Sequence, residues 1–172
     1  MKRVLVVMVV AALGAIGLIQ APAIGATGAT CAAKAGVTLS PGISLTASSG
    51  TFKSKPGGTL ACAGTVKGTN VGGTGTLTFS GVYGTNGGDT CASGAGSGKL
   101  AAVLPKVGGG TIKVAGTFTF KRAGSDVVIQ GTLSGATLGA NLQFVPDQGQ
   151  NCAQTKVVSA TVAGPAVVGG TS

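Results

Sequence analysis

Seven side chains in this chain of 172 residues have types and spacings that could carry chemistry. They are the cysteines Cys31, Cys62, Cys91 and Cys152 and the carboxylates Asp89, Asp126 and Asp147. There is no histidine and no glutamate. A zinc shell needs ligands clustered at short spacing, usually with histidine among them. No two of these cysteines lie within four residues of each other, so a metal centre is not expected. An even number of well-separated cysteines reads instead as two disulfides. Acid–base hydrolysis needs a histidine or a pair of carboxylates. Asp89 and Asp147 each precede a cysteine by a few residues and would approach each other if Cys91 bonded Cys152. Otherwise the three aspartates read as turn caps. A Ser–Lys dyad has no suitable spacing: the nearest pair, Ser54-Lys55, falls on opposite faces of a strand. The glycine-rich stretches do not lead from a strand into a helix, which a phosphate loop requires. No catalytic residue, metal or cofactor is therefore expected, and the chain reads as a non-enzyme.

What must position these residues is a sheet. Gly, Thr and Val dominate beyond the N-terminus, and no apolar stripe of helical period occurs. From Thr111 to Lys121 the even positions are apolar or glycine and the odd ones polar or small. That period of two sends Ile112, Val114, Phe118 and Phe120 to one face and Lys113, Thr117, Thr119 and Lys121 to the other. Val127, Ile129 and Leu133, and then Leu138, Leu142 and Phe144, alternate in the same way. A heptad, Gly-Thr-(Leu/Ile)-x-(Cys/Phe/Val)-(Ala/Ser)-Gly, recurs at Gly58–Gly64, Gly75–Gly81 and Gly110–Gly116, with a shortened echo at Gly131–Gly135. Each copy is one strand, and its closing glycine shares the apolar face, where a bend or a close backbone approach needs it. Inward Gly64, Gly81, Gly116 and Gly131 would also leave empty space.

Turn residues separate about eight or nine strands, near 36–40, 43–53, 58–67, 74–84, 98–104, 110–122, 126–134, 137–145 and 155–163. Short connections imply sequential antiparallel pairing. The fold class is all-β: an antiparallel up-and-down barrel of about eight strands, with a two-sheet β-sandwich as the alternative. Two longer loops, 85–98 and 146–154, carry Cys91 and Cys152, which pairs those two. Cys62 shares the inward face with Leu60, which leaves Cys31 to reach it by folding the N-terminal segment onto or into the core.

Lys2 and Arg3, the sixteen-residue apolar run Val4–Ile19 and the small residues after it have the three parts of a secretory signal peptide. Cleavage after Ala26 is favoured, giving a signal at 1–26 and one domain at 27–172. The run is shorter than the roughly 20 residues of an anchor helix and is followed by Pro22. Loss of Lys2 and Arg3 leaves ten basic residues against three acids, a net charge of about +7. The lysines are scattered and lack aromatic stacking platforms, so no specific nucleic acid is expected. Short strands without tryptophan, and Tyr83 as the sole tyrosine, argue against an outer-membrane barrel.

The pieces Gly58-Thr59-Leu60-Ala61-Cys62, Asp89-Thr90-Cys91-Ala92-Ser93-Gly94 and Gly116-Thr117-Phe118-Thr119-Phe120 resemble small exported Gly/Thr/Ala-rich β proteins of actinobacteria. That resemblance covers the mature chain and implies export, but no activity and no site residue. The enediyne-binding apoproteins of the same bacteria share the composition and two disulfides; their cysteines lie in close pairs, which these do not. The sequence points to a secreted, non-catalytic module acting at the cell envelope or outside it, attracted to anionic polymers by its charge. The alternative is a carrier of an apolar small molecule in the barrel interior.

Overall fold

The computed structural model describes residues 28–85 and 87–169; the expected signal segment lies outside them. The alternating segments form nine antiparallel strands, β1 (Ala29–Ile43), β2 (Gly50–Ser54), β3 (Thr59–Val66), β4 (Thr69–Tyr83), β5 (Ser93–Pro105), β6 (Thr111–Ala123), β7 (Asp126–Leu133), β8 (Ala136–Pro146) and β9 (Val157–Val168). β1 pairs with β9 and closes the sheet into a ring, so the fold is a barrel and not a sandwich.

The nine strands make eight staves. β2 and β3 run in succession along the same neighbours: Val37–Ser40 of β1 pair with β2, and Ala29–Lys34 pair with β3. β4 divides its pairing in the same way, to β3 through its first half and to β2 through its last residues. The intervening Lys55-Pro56-Gly57-Gly58 lets the composite stave bulge where proline has no N–H for the ladder. Following the paired residues around the ring gives Leu39, Phe52, Gly81, Gly98, Phe118, Gly131, Leu138, Val168 and then Ala29. The circuit returns to β1 ten residues from its start. Parallel eight-stranded barrels with a stagger of about eight are filled by side chains. A larger stagger tilts the strands further and widens the ring.

Three expectations need correction. The N-terminal segment does reach the core, with Ala29 and Cys31 in its apolar cluster, but as the first half of β1, which the expected strand at 36–40 left out; it is hydrogen-bonded to β3 on one edge and β9 on the other. β5 begins at Ser93 rather than 98, and its glycines face aromatic rings, with Gly98 opposite Phe118 and Gly96 opposite Phe120. Alanine and glycine carry too little apolar contrast for a period of two to show, so both stretches read as loop. The repeat glycines also leave no empty space. A β-carbon on Gly81 would lie 2.6 Å from the Phe52 ring, and one on Gly116 would overlap the Thr132 carbonyl oxygen. Gly64 sits exposed at the rim with a φ of +128°. These glycines mark where the sheet coils so sharply that neighbouring backbones meet.

Both disulfides are present. Cys31 and Cys62 face each other directly across β1 and β3, with Cα atoms 4.1 Å apart, inside the apolar cluster at one end. Cys91 bonds Cys152 and ties together the loops after β4 and β8 at the other end. This is the pairing expected from the loops.

Candidate functional site

The barrel interior holds a cavity of about 120 Å³. One wall is built of small side chains, Ala33 and Ala35 on β1, Ala140 on β8 and Ala166 on β9. All five phenylalanines of the chain line the rest. Phe52 centres their cluster, with ring centroids 6.1 Å from Phe79, 6.1 Å from Phe118 and 5.6 Å from Phe120. The space therefore comes from alanines facing a widened ring, not from the repeat glycines.

At the Cys91 end the loop after β4 covers the cavity. Asp89 exchanges backbone hydrogen bonds with Ser48 (3.0 and 2.7 Å), and the Cys91 amide donates to the Ser44 carbonyl at 2.9 Å. Three polar side chains meet beneath this cover: Tyr83 is 1% exposed, Asp89 1% and Arg122 6%. All three line the cavity. The Tyr83 hydroxyl donates to the Pro41 carbonyl. Arg122 lies opposite Gly94 in the β5–β6 ladder, and the Asp89 carboxyl fills the inward space that a side chain at Gly94 would take.

Asp89 Oδ1 accepts from the Gly84 and Ala95 amides at 3.1 and 2.8 Å. Oδ2 has no partner in the protein. Arg122 Nη1 donates to the carbonyls of Cys91 (3.0 Å) and Gly124 (2.8 Å), and Nη2 to those of Thr90 and Ser93. Its Nε, equally buried, has none. The guanidinium carbon lies 5.4 Å from the centre of the Phe144 ring, a cation–π contact. No Arg122 nitrogen comes within 4.0 Å of an Asp89 oxygen; the one ion pair among the described residues is elsewhere. Burial pushes the Asp89 carboxyl above its ordinary range, against the opposing pull of the Ala95 amide, Arg122 and the Gly84 amide. Burial likewise lowers Arg122, and Asp89 opposes that shift. Tyr83 is raised by burial and then by the charge of Asp89.

The other candidate residues are dispersed. Asp126 accepts from Gln143 Nε2 on the exposed rim, as a turn residue would. Ser54 accepts from the Phe79 amide at 3.0 Å and is not joined to Lys55. Asp147 does not share the mouth with Asp89: Oδ2 accepts from Lys55 Nζ at 2.6 Å and from Ser159 Oγ at 2.7 Å. These contacts, with Lys55 the largest, hold the Asp147 carboxyl below its ordinary range. A depressed carboxylate contributes stability above its unfolded pKa and loses it as the pH falls through the folded value. Asp147→Asn should therefore cost under about 1 kcal/mol at neutral pH, since both partners are a third exposed and solvent screens the pair. Urea unfolding of both proteins should show that difference shrinking on acidification past the usual carboxylate value; a difference that grows would contradict the ion pair.

Sequence reasoning missed Arg122 and Tyr83 as site residues. The signal was present. The even positions of β6 run inward from Ile112 to Phe120, and the next even position is Arg122. In β4, Leu77 and Phe79 put Tyr83 on the same face. Asp89 carries no such signal, because it lies in a loop. No protein-family model, no curated protein and no solved structure matches this chain, so what the cavity does must be read from its own geometry.

Proposed function

We propose that this is an exported, non-catalytic barrel protein that carries one small, mainly apolar molecule in its interior. The cavity supports this reading: about 120 Å³ lined almost wholly by apolar side chains, close to the roughly 150 Å³ of an engineered apolar cavity that takes up benzene. Two disulfides fit an oxidising compartment outside the cytoplasm. The apolar side chains face inward while Thr117, Thr119, Lys113 and Lys121 face out, the reverse of a lipid-facing barrel. A role carried by surface charge alone has less support, because the lysines are spread over β1, β2, β5, β6 and the connections between strands.

Titration of the isotope-labelled protein with benzene tests the reading. Methyl resonances of Ile129, Leu138 and Val162 should shift saturably while those of the outward Val128 and Val167 stay put. Ala140→Leu should fill the cavity and abolish the shifts. Wild-type protein with no saturable shift would refute the carrier.

A further inference from the structure

The polar end of the cavity has a residual hydrogen-bonding capacity that the protein leaves unused. Asp89 Oδ1 is saturated by two backbone amides, and the four Nη hydrogens of Arg122 are spent on four carbonyls. What remains is one acceptor, Asp89 Oδ2, and one donor, Arg122 Nε, both fully buried. A buried polar atom without a partner is costly, and native proteins retain few of them. The two groups also lie too far apart to satisfy each other directly. A guest that bonds both must therefore bridge more than 4.0 Å, through a hydroxyl oxygen that donates and accepts or through a donor and an acceptor on neighbouring atoms. The guest's net charge is constrained as well. An anionic head would face the Asp89 carboxylate, and a cationic head would face the Arg122 guanidinium, where burial leaves charges poorly screened.

We propose that the cavity takes a small molecule with an apolar body and an uncharged head, the head donating one hydrogen bond to Asp89 Oδ2 and accepting one from Arg122 Nε. A primary amide is one such head, with its donor and its acceptor on separate atoms. Its body lies among Phe52, Phe79 and Phe118, against the alanine wall. This proposal rests on the carrier reading above and adds the chemistry of the ligand.

The test uses three probes with the same number of non-hydrogen atoms: benzene, isobutyramide and isobutyrate, titrated into the full mature protein at neutral pH with methyl shifts as readout. Isobutyramide should bind at least as tightly as benzene, although water solvates it far better, and isobutyrate should be excluded. In Asp89→Asn the Oδ1 bonds to Gly84 and Ala95 are kept, while the free acceptor becomes a donor. In that variant the affinity for isobutyramide relative to that for benzene should fall about tenfold, the effect of losing a buried hydrogen bond. Benzene binding without isobutyramide binding would overturn this proposal and leave the carrier intact. Isobutyrate binding more tightly than the amide would make the site an anion site and overturn it too. Binding of no probe would overturn the carrier and this proposal together. Should Asp89→Asn fail to fold, the ranking of the three probes on wild-type protein decides the matter alone.

Discussion

Gly116→Val is expected to destabilise the barrel by about 3 kcal/mol or more, at the upper end of overpacking effects. Gly116 lies between Val114 and Phe118 on the inward face of β6, paired with Leu100 on β5 and Leu133 on β7. A β-carbon there would overlap the Thr132 carbonyl oxygen and come within 2.9 Å of the Leu133 Cα. The obstacle is backbone held in a ladder, so it cannot yield as a flexible side chain would. Relief requires β6 and β7 to separate, and β7 is also held by β8. Thr117→Val is the control: its side chain is exposed on the outer face of the same strand, and it should change stability by less than about 0.5 kcal/mol. The two variants differ in face, and since Gly→Val by itself raises strand propensity while Thr→Val leaves it nearly unchanged, a loss in the first reports the crowding and not the propensity. Equal melting temperatures for the two variants would show that β6 does not coil against β7 at this point.

Reduction of both disulfides is expected to unfold the protein. The bonds close sequence separations of 31 and 61 residues. On the chain-entropy model each then stabilises by roughly 3.5 to 4.5 kcal/mol. Together that is comparable to the whole stability of a typical domain, about 5 to 15 kcal/mol. The two bonds should fail differently when removed singly. Cys31 and Cys62 are buried in the cluster with Val66, Leu104 and Val168, so replacing both with serine also puts hydroxyls into apolar surroundings. Cys91→Ser with Cys152→Ser frees the cover over the cavity instead. Hydrogen exchange should then accelerate at the Gly84, Cys91 and Ala95 amides, whose bonds hold that cover. Amides of β3 should stay slow. Melting that is insensitive to reductant, or uniform acceleration in the second variant, would contradict this division.

Apart from the shared stave of β2 and β3, where β1 pairs with β3 and β2 with β4, the amino-acid order alone established the all-β class, the antiparallel sequential pairing from β3 to β9, the inward faces of β6, β7 and β8, and the assignment of cysteines to partners. Each follows from information that is local in the chain: a period of two, turn chemistry, and which loops lie on the same side of an alternating sheet. The first half of β1 and the glycine-rich start of β5 escaped because alanine and glycine give the two faces of a strand no contrast; their strand character comes from pairing on both edges. The ten-residue stagger was beyond the sequence as well, since it is a sum of registers around a closed ring, and no single hairpin contains it. The cavity depends on that sum. It is the difference between the width of the ring and the volume of the alanines facing it. The site at its end depends on still more distant coincidences. A loop held by Cys91–Cys152 carries Asp89 over the barrel mouth, Gly94 leaves room for its carboxyl, and Arg122 stands on the next strand. Local sequence could mark Arg122 as inward, but only the folded ring decided that a carboxylate would meet it there with one bond left free on each.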